Sequence, residues 1–255
     1  MDLKEIIKKK GKEKISMLTA YDYQMAKILD EAGVDLILVG DSLAMVFQGM
    51  PDTKKVTMRE MLYHTKAVVR GAKNTPVIGD MPIHSYDTPE LAVKNAKKFL
   101  RVGAKGLKLE GNHPAVLKAL KKQGIDVMGH LGLLPQTAKK YRVRGKMPEE
   151  ARQILEDARQ LDSLGVFAIV LECVPEKLAK KITASVKVPT IGIGAGKYCD
   201  GQVLVINDLL GMDKEFKAKH VKRYLNLNRS IKRAVKKFIE ETRKGLFPTE
   251  AQTFH

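Results

Sequence analysis

The chain has 255 residues, 44% of them hydrophobic and 29% charged, with 46 Lys and Arg against 29 Asp and Glu for a net charge of +17. That balance excludes intrinsic disorder and supplies material for one sizeable core. No stretch approaches the roughly 20 apolar residues that span a bilayer, and the lysine-rich start leads into no long apolar region, so it does not read as a secretory signal. Cys173 and Cys199 lack metal-site spacing and cannot make a disulfide framework, which points to a reducing cytoplasm.

In chain order, residues 1–14 read as a basic N-terminal helix. Short apolar runs then alternate with amphipathic segments. The runs are Ile15–Ala20, Asp35–Gly40, Pro76–Gly79, Gly106–Leu109, Ile125–Gly129, Phe167–Leu171, Pro189–Ile193 and the weaker Val203–Asn207. Each has the length of a strand buried on both faces. Between them, Tyr21–Ala32 ends at Gly33, Thr57 and Glu60 form a capping-box pattern, and Thr88 precedes Pro89 as N-cap and first helical residue. Pro148 and Pro175 open two further helices, Glu149–Leu164 and Glu176–Ala184.

Eight strands alternating with helices are the arithmetic of a (β/α)8 barrel. A doubly wound open sheet is the competitor, but no G-x-G-x-x-G follows the first strand. With no low-complexity linker, residues 1–255 read as one domain, with 213–255 as a C-terminal helical extension.

The two ends, residues 1–14 and 213–255, hold +10 of the +17 charge, so a nucleic-acid-binding reading must rest on them. There the helix Arg229–Lys244 sets Ile231, Ala234, Val235, Phe238 and Ile239 on one stripe, which reads as a packed helix with a solvated basic face. No zinc-finger or RNA-recognition signature accompanies it, Trp is absent, and aromatics are 5% of the chain, poor material for base stacking. The basic balance also suits anionic small-molecule substrates.

Five consecutive runs end in a residue that can bind a metal or move a proton: Asp41, Asp80, Glu110, His130 and Glu172. Barrel enzymes place their chemistry at the carboxy-terminal strand ends. Lys108 and Glu110 are two apart and share a face, so both point into the barrel mouth, as a structural ion pair or as a grip on a substrate carboxylate. Asp41, Asp80 and Glu110 offer hard oxygen ligands with no cysteine beside them, a set that favours Mg2+ over zinc. Either Asp alone reads equally as a cap or loop hydrogen bond. His130 suits a donor to a substrate oxygen. Glu172 stands apart from those acids, as a proton acceptor or as the partner of a cation at the mouth. The Ile191-Gly-Ile-Gly-Ala-Gly196 loop allows close backbone approach to a ligand but lacks the P-loop ending.

These segments carry a resemblance. Thr19-Ala-Tyr-Asp22, Val39-Gly-Asp-Ser-Leu43, Tyr63-His-Thr65, Lys108-Leu-Glu-Gly111, Gly129-His-Leu-Gly-Leu133, Leu171-Glu-Cys-Val-Pro175, Ile191–Gly196 and Asp200-Gly-Gln202, in that order, resemble the ketopantoate hydroxymethyltransferase family. The resemblance implies a (β/α)8 TIM barrel of the phosphoenolpyruvate/pyruvate-binding type. It implies transfer of a hydroxymethyl group to 3-methyl-2-oxobutanoate, giving 2-dehydropantoate in pantothenate and coenzyme A biosynthesis. It also implies one Mg2+ per subunit, 5,10-methylenetetrahydrofolate or a related pterin as co-substrate, and a homo-oligomer, commonly a decamer. Carried over, Asp41, Asp80 and Glu110 match metal positions; Asp41, Ser42, Asp80 and Lys108 match ketoacid-binding positions; His130 is an active-site position; Glu172 matches the proton acceptor. The chain departs from the family pattern at Leu134 and in the short basic segment 138–144. A lyase of the same barrel type would need a Lys-Lys-Cys-Gly-like loop, which this sequence lacks.

Overall fold

The computed structural model describes residues 2–255 and divides into two compact units, the first ending at Val205 and the second running from Ile206 to His255. In the first unit the elements follow as α1 (Leu3–Lys8), β1 (Ile15–Thr19), α2 (Tyr23–Glu31), β2 (Leu36–Val39), α3 (Leu43–Val46), α4 (Met58–Gly71), β3 (Val77–Asp80), α5 (Pro89–Arg101), β4 (Gly106–Glu110), α6 (Pro114–Lys122), β5 (Val127–Gly132), α7 (Pro148–Leu164), β6 (Ala168–Glu172), α8 (Glu176–Ser185), β7 (Thr190–Ile193) and β8 (Gly201–Leu204). The eight strands pair in sequence order and β8 returns to β1, closing a parallel barrel as expected.

Local chemistry sets the helix ends. The Thr57–Glu60 capping box forms in both directions, Thr88 caps α5 ahead of Pro89, and Gly165 ends α7 in the left-handed conformation, at φ 82°. Asp22 caps α2, so that helix opens two residues later than the periodicity suggests.

The strand interior is built on one parity. Ile15 and Met17, Leu36 and Leu38, Ile78, Met128, Ala168 and Val170, Ile191 and Val203 join one buried cluster. Two residues further on, the same faces continue as Asp80 after Ile78, Lys108 and Glu110 after Gly106, His130 after Met128 and Glu172 after Val170. The barrel is thus apolar below and ionisable at its carboxy-terminal mouth. At the opposite end Leu3 and Ile6 of α1 complete the cluster. Lys9 and Lys10 fasten that plug through ion pairs of 2.7 Å to Asp35 and 2.8 Å to Asp200.

The N-terminal helix is shorter than the expected 1–14, spanning Leu3–Lys8 before the chain turns at Lys9–Lys12, and two strands also differ from expectation. β8 is Gly201–Leu204 rather than Val203–Asn207, because Gly201 passes so close to Ile15 and Ile191 that any side chain would collide with them. His130 lies inside β5, which runs on to Gly132, instead of ending it.

In the second unit, α9 (Ile206–Leu209) precedes α10 (Leu227–Arg243), and a 3-10 turn covers Glu250–Gln252. The helix α10 forms as its pattern predicts, but none of its residues is buried. The apolar stripe read as a packed face stays 39–53% exposed at Ile231, Val235, Phe238 and Ile239, since this small unit has too little apolar surface of its own to cover it.

Candidate active site

Every residue singled out at the strand ends lies at the barrel mouth, and hydrogen bonds or ion-pair distances link most of them. The ammonium of Lys108 donates to Asp80 Oδ2 at 2.6 Å across the β3–β4 pairing. The Asp41 N–H donates to the same Asp80 oxygen at 3.2 Å. On the next pairing Glu110 sits opposite His130, with His130 Nδ1 3.5 Å from Glu110 Oε1. His130 Nε2 is 3.2 Å from Glu172 Oε2. The hydroxyl of Ser42, just past Asp41, is 2.9 Å from the Tyr21 phenol.

Burial separates these groups. Asp80, Glu110 and His130 side chains are 1–2% exposed, whereas the Glu172 side chain keeps 19%. Glu172 is therefore the acid open to a ligand entering from the mouth. Its backbone is held by a distinctive turn: Cys173, immediately after it, adopts φ 48°, its N–H donates to Ile193 O at 2.8 Å, and its carbonyl accepts from Arg144 N–H at 2.8 Å. The basic segment 138–144 thus folds back against the site.

The electrostatics reflect three buried acids around one lysine. Burial, followed by the charges of Asp80 and Glu110, pushes the Asp41 carboxyl up to about 8. Burial also raises Asp80 against the pull of Lys108. For Lys108 burial works against the charge, but Asp80, Asp41 and Glu110 more than offset it and hold the ammonium above the usual lysine range. Burial and Lys108 oppose a charged His130, yet its contacts with Glu110 and Glu172 win and lift it to about 9.

Two carboxylate oxygens, Asp80 Oδ1 and Glu110 Oε1, are buried with no hydrogen-bond partner. Buried orphan acceptors are costly unless something occupies them. Among the described residues no group of three or more Asp, Glu, His or Cys side chains stands in an arrangement that by itself encloses a metal ion, so protein atoms alone do not complete a site here. The donor set is open, of hard oxygens with an excess of negative charge. That fits an ion of the Mg2+ kind, which keeps several positions for water or substrate, and does not fit a closed zinc site.

Two residues that sequence reading left out complete the site. Gln136, 1% exposed, donates from Nε2 to Asp41 Oδ2 at 3.0 Å, and its backbone N–H donates to Glu110 Oε2 at 3.1 Å. Tyr86 donates its hydroxyl to Gln136 Oε1 at 2.6 Å. Both sit in loops after strands, β5 and β3, where the only available signal was a polar side chain on the catalytic side of the barrel. Gln202 donates to Gly196 O at 2.9 Å and ties the Gly192–Gly196 loop to β8.

A closed parallel barrel with acids and a lysine converging on its carboxy-terminal mouth defines a (β/α)8 enzyme, and solved structures share its fold. It superposes on phosphonopyruvate hydrolase with a TM-score of 0.66 at 12% identity, over 100% of this chain and 92% of that one. It superposes on 2,3-dimethylmalate lyase, a PEP mutase/isocitrate lyase superfamily member, with a TM-score of 0.62 at 14% identity, over 99% and 91%. At the sequence level, the family model of ketopantoate hydroxymethyltransferase matches residues 1–250. Among relatives named 3-methyl-2-oxobutanoate hydroxymethyltransferase, that of Ignicoccus hospitalis is 53% identical over 97% of both chains. That of Syntrophomonas wolfei is 52% identical over 97% of this chain and 92% of its own. The chain belongs to the ketopantoate hydroxymethyltransferase family. These relatives support 3-methyl-2-oxobutanoate hydroxymethyltransferase activity, the formation of ketopantoate.

Proposed function

We propose that the chain moves a hydroxymethyl group from 5,10-methylenetetrahydrofolate or a related pterin to C3 of 3-methyl-2-oxobutanoate, with a divalent cation, Mg2+ in the first instance, at Asp41, Asp80 and Glu110. The observation that carries the reading is the pair of orphaned carboxylate oxygens of Asp80 and Glu110 beside Lys108. A phosphonopyruvate hydrolase of the same fold has been solved with oxalate and Mg2+, a small dicarboxylate and the same ion type. When bound, such an ion supplies Lewis-acid polarisation of the keto group.

The residues divide the remaining work. Lys108 and Ser42 hold the substrate carboxylate, Lys108 as a buried cation and Ser42 as a hydroxyl oriented by Tyr21. His130, raised to about 9 by its contacts with Glu110 and Glu172, lies within ion-pair distance of Glu172 and turns an N–H toward a substrate oxygen. Glu172 takes the proton from C3. The C3–H electron pair then forms the new bond to the methylene carbon of the donor as one of that carbon's two bonds to nitrogen breaks, the released nitrogen taking up a proton. Water breaks the remaining carbon–nitrogen bond and supplies the hydroxyl, so the products are ketopantoate and the reduced pterin.

The same reading makes residues 1–255 one functional domain, with the N-terminal helix as a plug and 213–255 as an extension. It makes the protein a cytoplasmic homo-oligomer, a decamer as in the family. The exposed apolar stripe of α10 supports association. Among the described residues no helix is long and apolar enough to cross a membrane.

The deciding assay mixes 3-methyl-2-oxobutanoate with methylenetetrahydrofolate, with and without EDTA. Ketopantoate is expected only where the metal is retained. Equal formation in both tubes would remove the cation from the reading, and none in either, with a wild-type fold, would remove the donor.

A further inference from the structure

Gln136 uses every polar atom it has except its own carbonyl. One side-chain N–H meets Asp41 Oδ2 at 3.0 Å and the other meets the carbonyl of Met81, next to Asp80, at 3.0 Å. Its Oε1 accepts from the Tyr86 hydroxyl at 2.6 Å, and its backbone N–H reaches Glu110 Oε2 at 3.1 Å. The amide has only one orientation here. Turned over, its oxygen would face the carbonyl of Met81, two acceptors with no proton between them. Tyr86, buried and held protonated by burial and by the charges of Glu110 and Asp80, supplies the donor that fixes that choice.

The geometry points to Gln136, oriented by Tyr86, as the positioning residue that aims the second oxygens of Asp41 and Glu110 at a divalent cation. It occupies one oxygen of each acid, which pins the rotation of both carboxylates and leaves Glu110 Oε1 without a hydrogen bond, its nearest cationic neighbour being His130 Nδ1 at 3.5 Å. A neutral amide does this without cancelling negative charge, whereas a lysine or arginine in its place would compete with the ion. The residue stands in a loop and approaches the acids from outside the strand parity that supplies the others, so it fixes them from a direction the barrel itself does not provide. This inference rests on the proposed cation site.

The test is a calorimetric titration of metal-free protein with Mn2+ in the presence of 3-methyl-2-oxobutanoate, for wild type, Gln136→Met and Tyr86→Phe, with a melting curve for each. Groups that orient metal ligands typically contribute about 10- to 100-fold in metal affinity. Gln136→Met is expected to raise the Mn2+ Kd by an amount in that range, and Tyr86→Phe to raise it in the same direction by less, with a melting temperature close to wild type. Kd values within twofold of wild type for both variants would reduce Gln136 to a packing role and overturn the inference. Should Gln136→Met fail to fold, Tyr86→Phe decides alone. A wild-type protein that takes up no Mn2+ would overturn the cation reading itself, an outcome visible without any variant.

Discussion

His130 Nε2 lies 3.2 Å from Glu172 Oε2 at the mouth and its Nδ1 3.5 Å from Glu110 Oε1, so the acid open to a ligand shares a charged neighbour with the buried Glu110. Replacing Glu172 with Gln preserves shape and an acceptor for the imidazolium but removes the basic oxygen. Glu172→Gln is expected to bind 3-methyl-2-oxobutanoate within a few-fold of wild type while losing exchange of its C3 hydrogen with D2O by about 100-fold or more, the usual scale of general-base catalysis. Proton NMR of the ketoacid in D2O reads both quantities. Exchange at the wild-type rate would strip Glu172 of the role.

Gly132, at φ 96°, passes so close to the Glu172 carbonyl and Val174 that a side chain there would overlap them. Gly132→Ala combines a conformation that L residues avoid with a backbone clash, so a loss of about 2 kcal/mol or more is expected, with turnover falling as Glu172 is displaced. Gly124 provides the comparison: its φ is 65°, but nothing lies within 4 Å of a Cβ there. Gly124→Ala should cost about 1 kcal/mol and leave turnover unchanged. Urea melts and steady-state rates distinguish the two, and equal losses at both positions would contradict the packing account.

Much of this site was readable from residue order. The alternation of apolar runs with capped helices is a local property, and parity alone carried Lys108 and Glu110 to the interior. Gln136 and Tyr86 escaped because their roles exist only once loops from β3 and β5 meet over the acids; neither lies on a periodic segment. The start of β8 escaped for a similar reason. Its boundary is set by how closely Gly201 can approach β1 and β7, which no propensity encodes. The exposure of α10 was also illegible, because amphipathicity reports a face that wants cover and not whether one chain provides it.

Asp30 ties α2 to the α4–β3 connection by accepting backbone N–H groups of Lys73, Asn74 and Thr75 at 3.1, 2.9 and 2.7 Å. Partial burial works to raise its pKa, but these hydrogen bonds prevail and hold it below the ordinary value. A carboxylate lowered on folding stabilises above its unfolded pKa and loses that contribution as pH falls through the folded value. Asp30→Ala is expected to destabilise by about 1–3 kcal/mol at pH 7, with the gap to wild type closing below pH ~4, the ordinary Asp range. A gap that stays constant down to pH 2 would refute the ionised hydrogen-bond explanation.

The thiol of Cys173 follows Glu172 directly, and burial, aided by that acid's charge, pushes it from 9.0 to about 11. Thiolate is the reactive form. At pH 8 the folded protein should therefore alkylate at Cys173 at least about 10-fold more slowly than the unfolded chain, the scarcer thiolate being partly offset by its greater nucleophilicity, as read by mass spectrometry of iodoacetamide-treated samples. Fast labelling in the native state would contradict this environment.

The seam between β1 and β8 carries a consequence for biogenesis. Residues near the amino terminus, Lys10 and Ile15, find their partners in Asp200 and Gly201, almost two hundred positions later. During synthesis the first strand must therefore wait, with one edge unpaired, until nearly the whole barrel has left the ribosome. The ring is completed only by joining its oldest segment to its newest, a high-contact-order step that makes maturation slow and leaves nascent chains dependent on protection until that join is made.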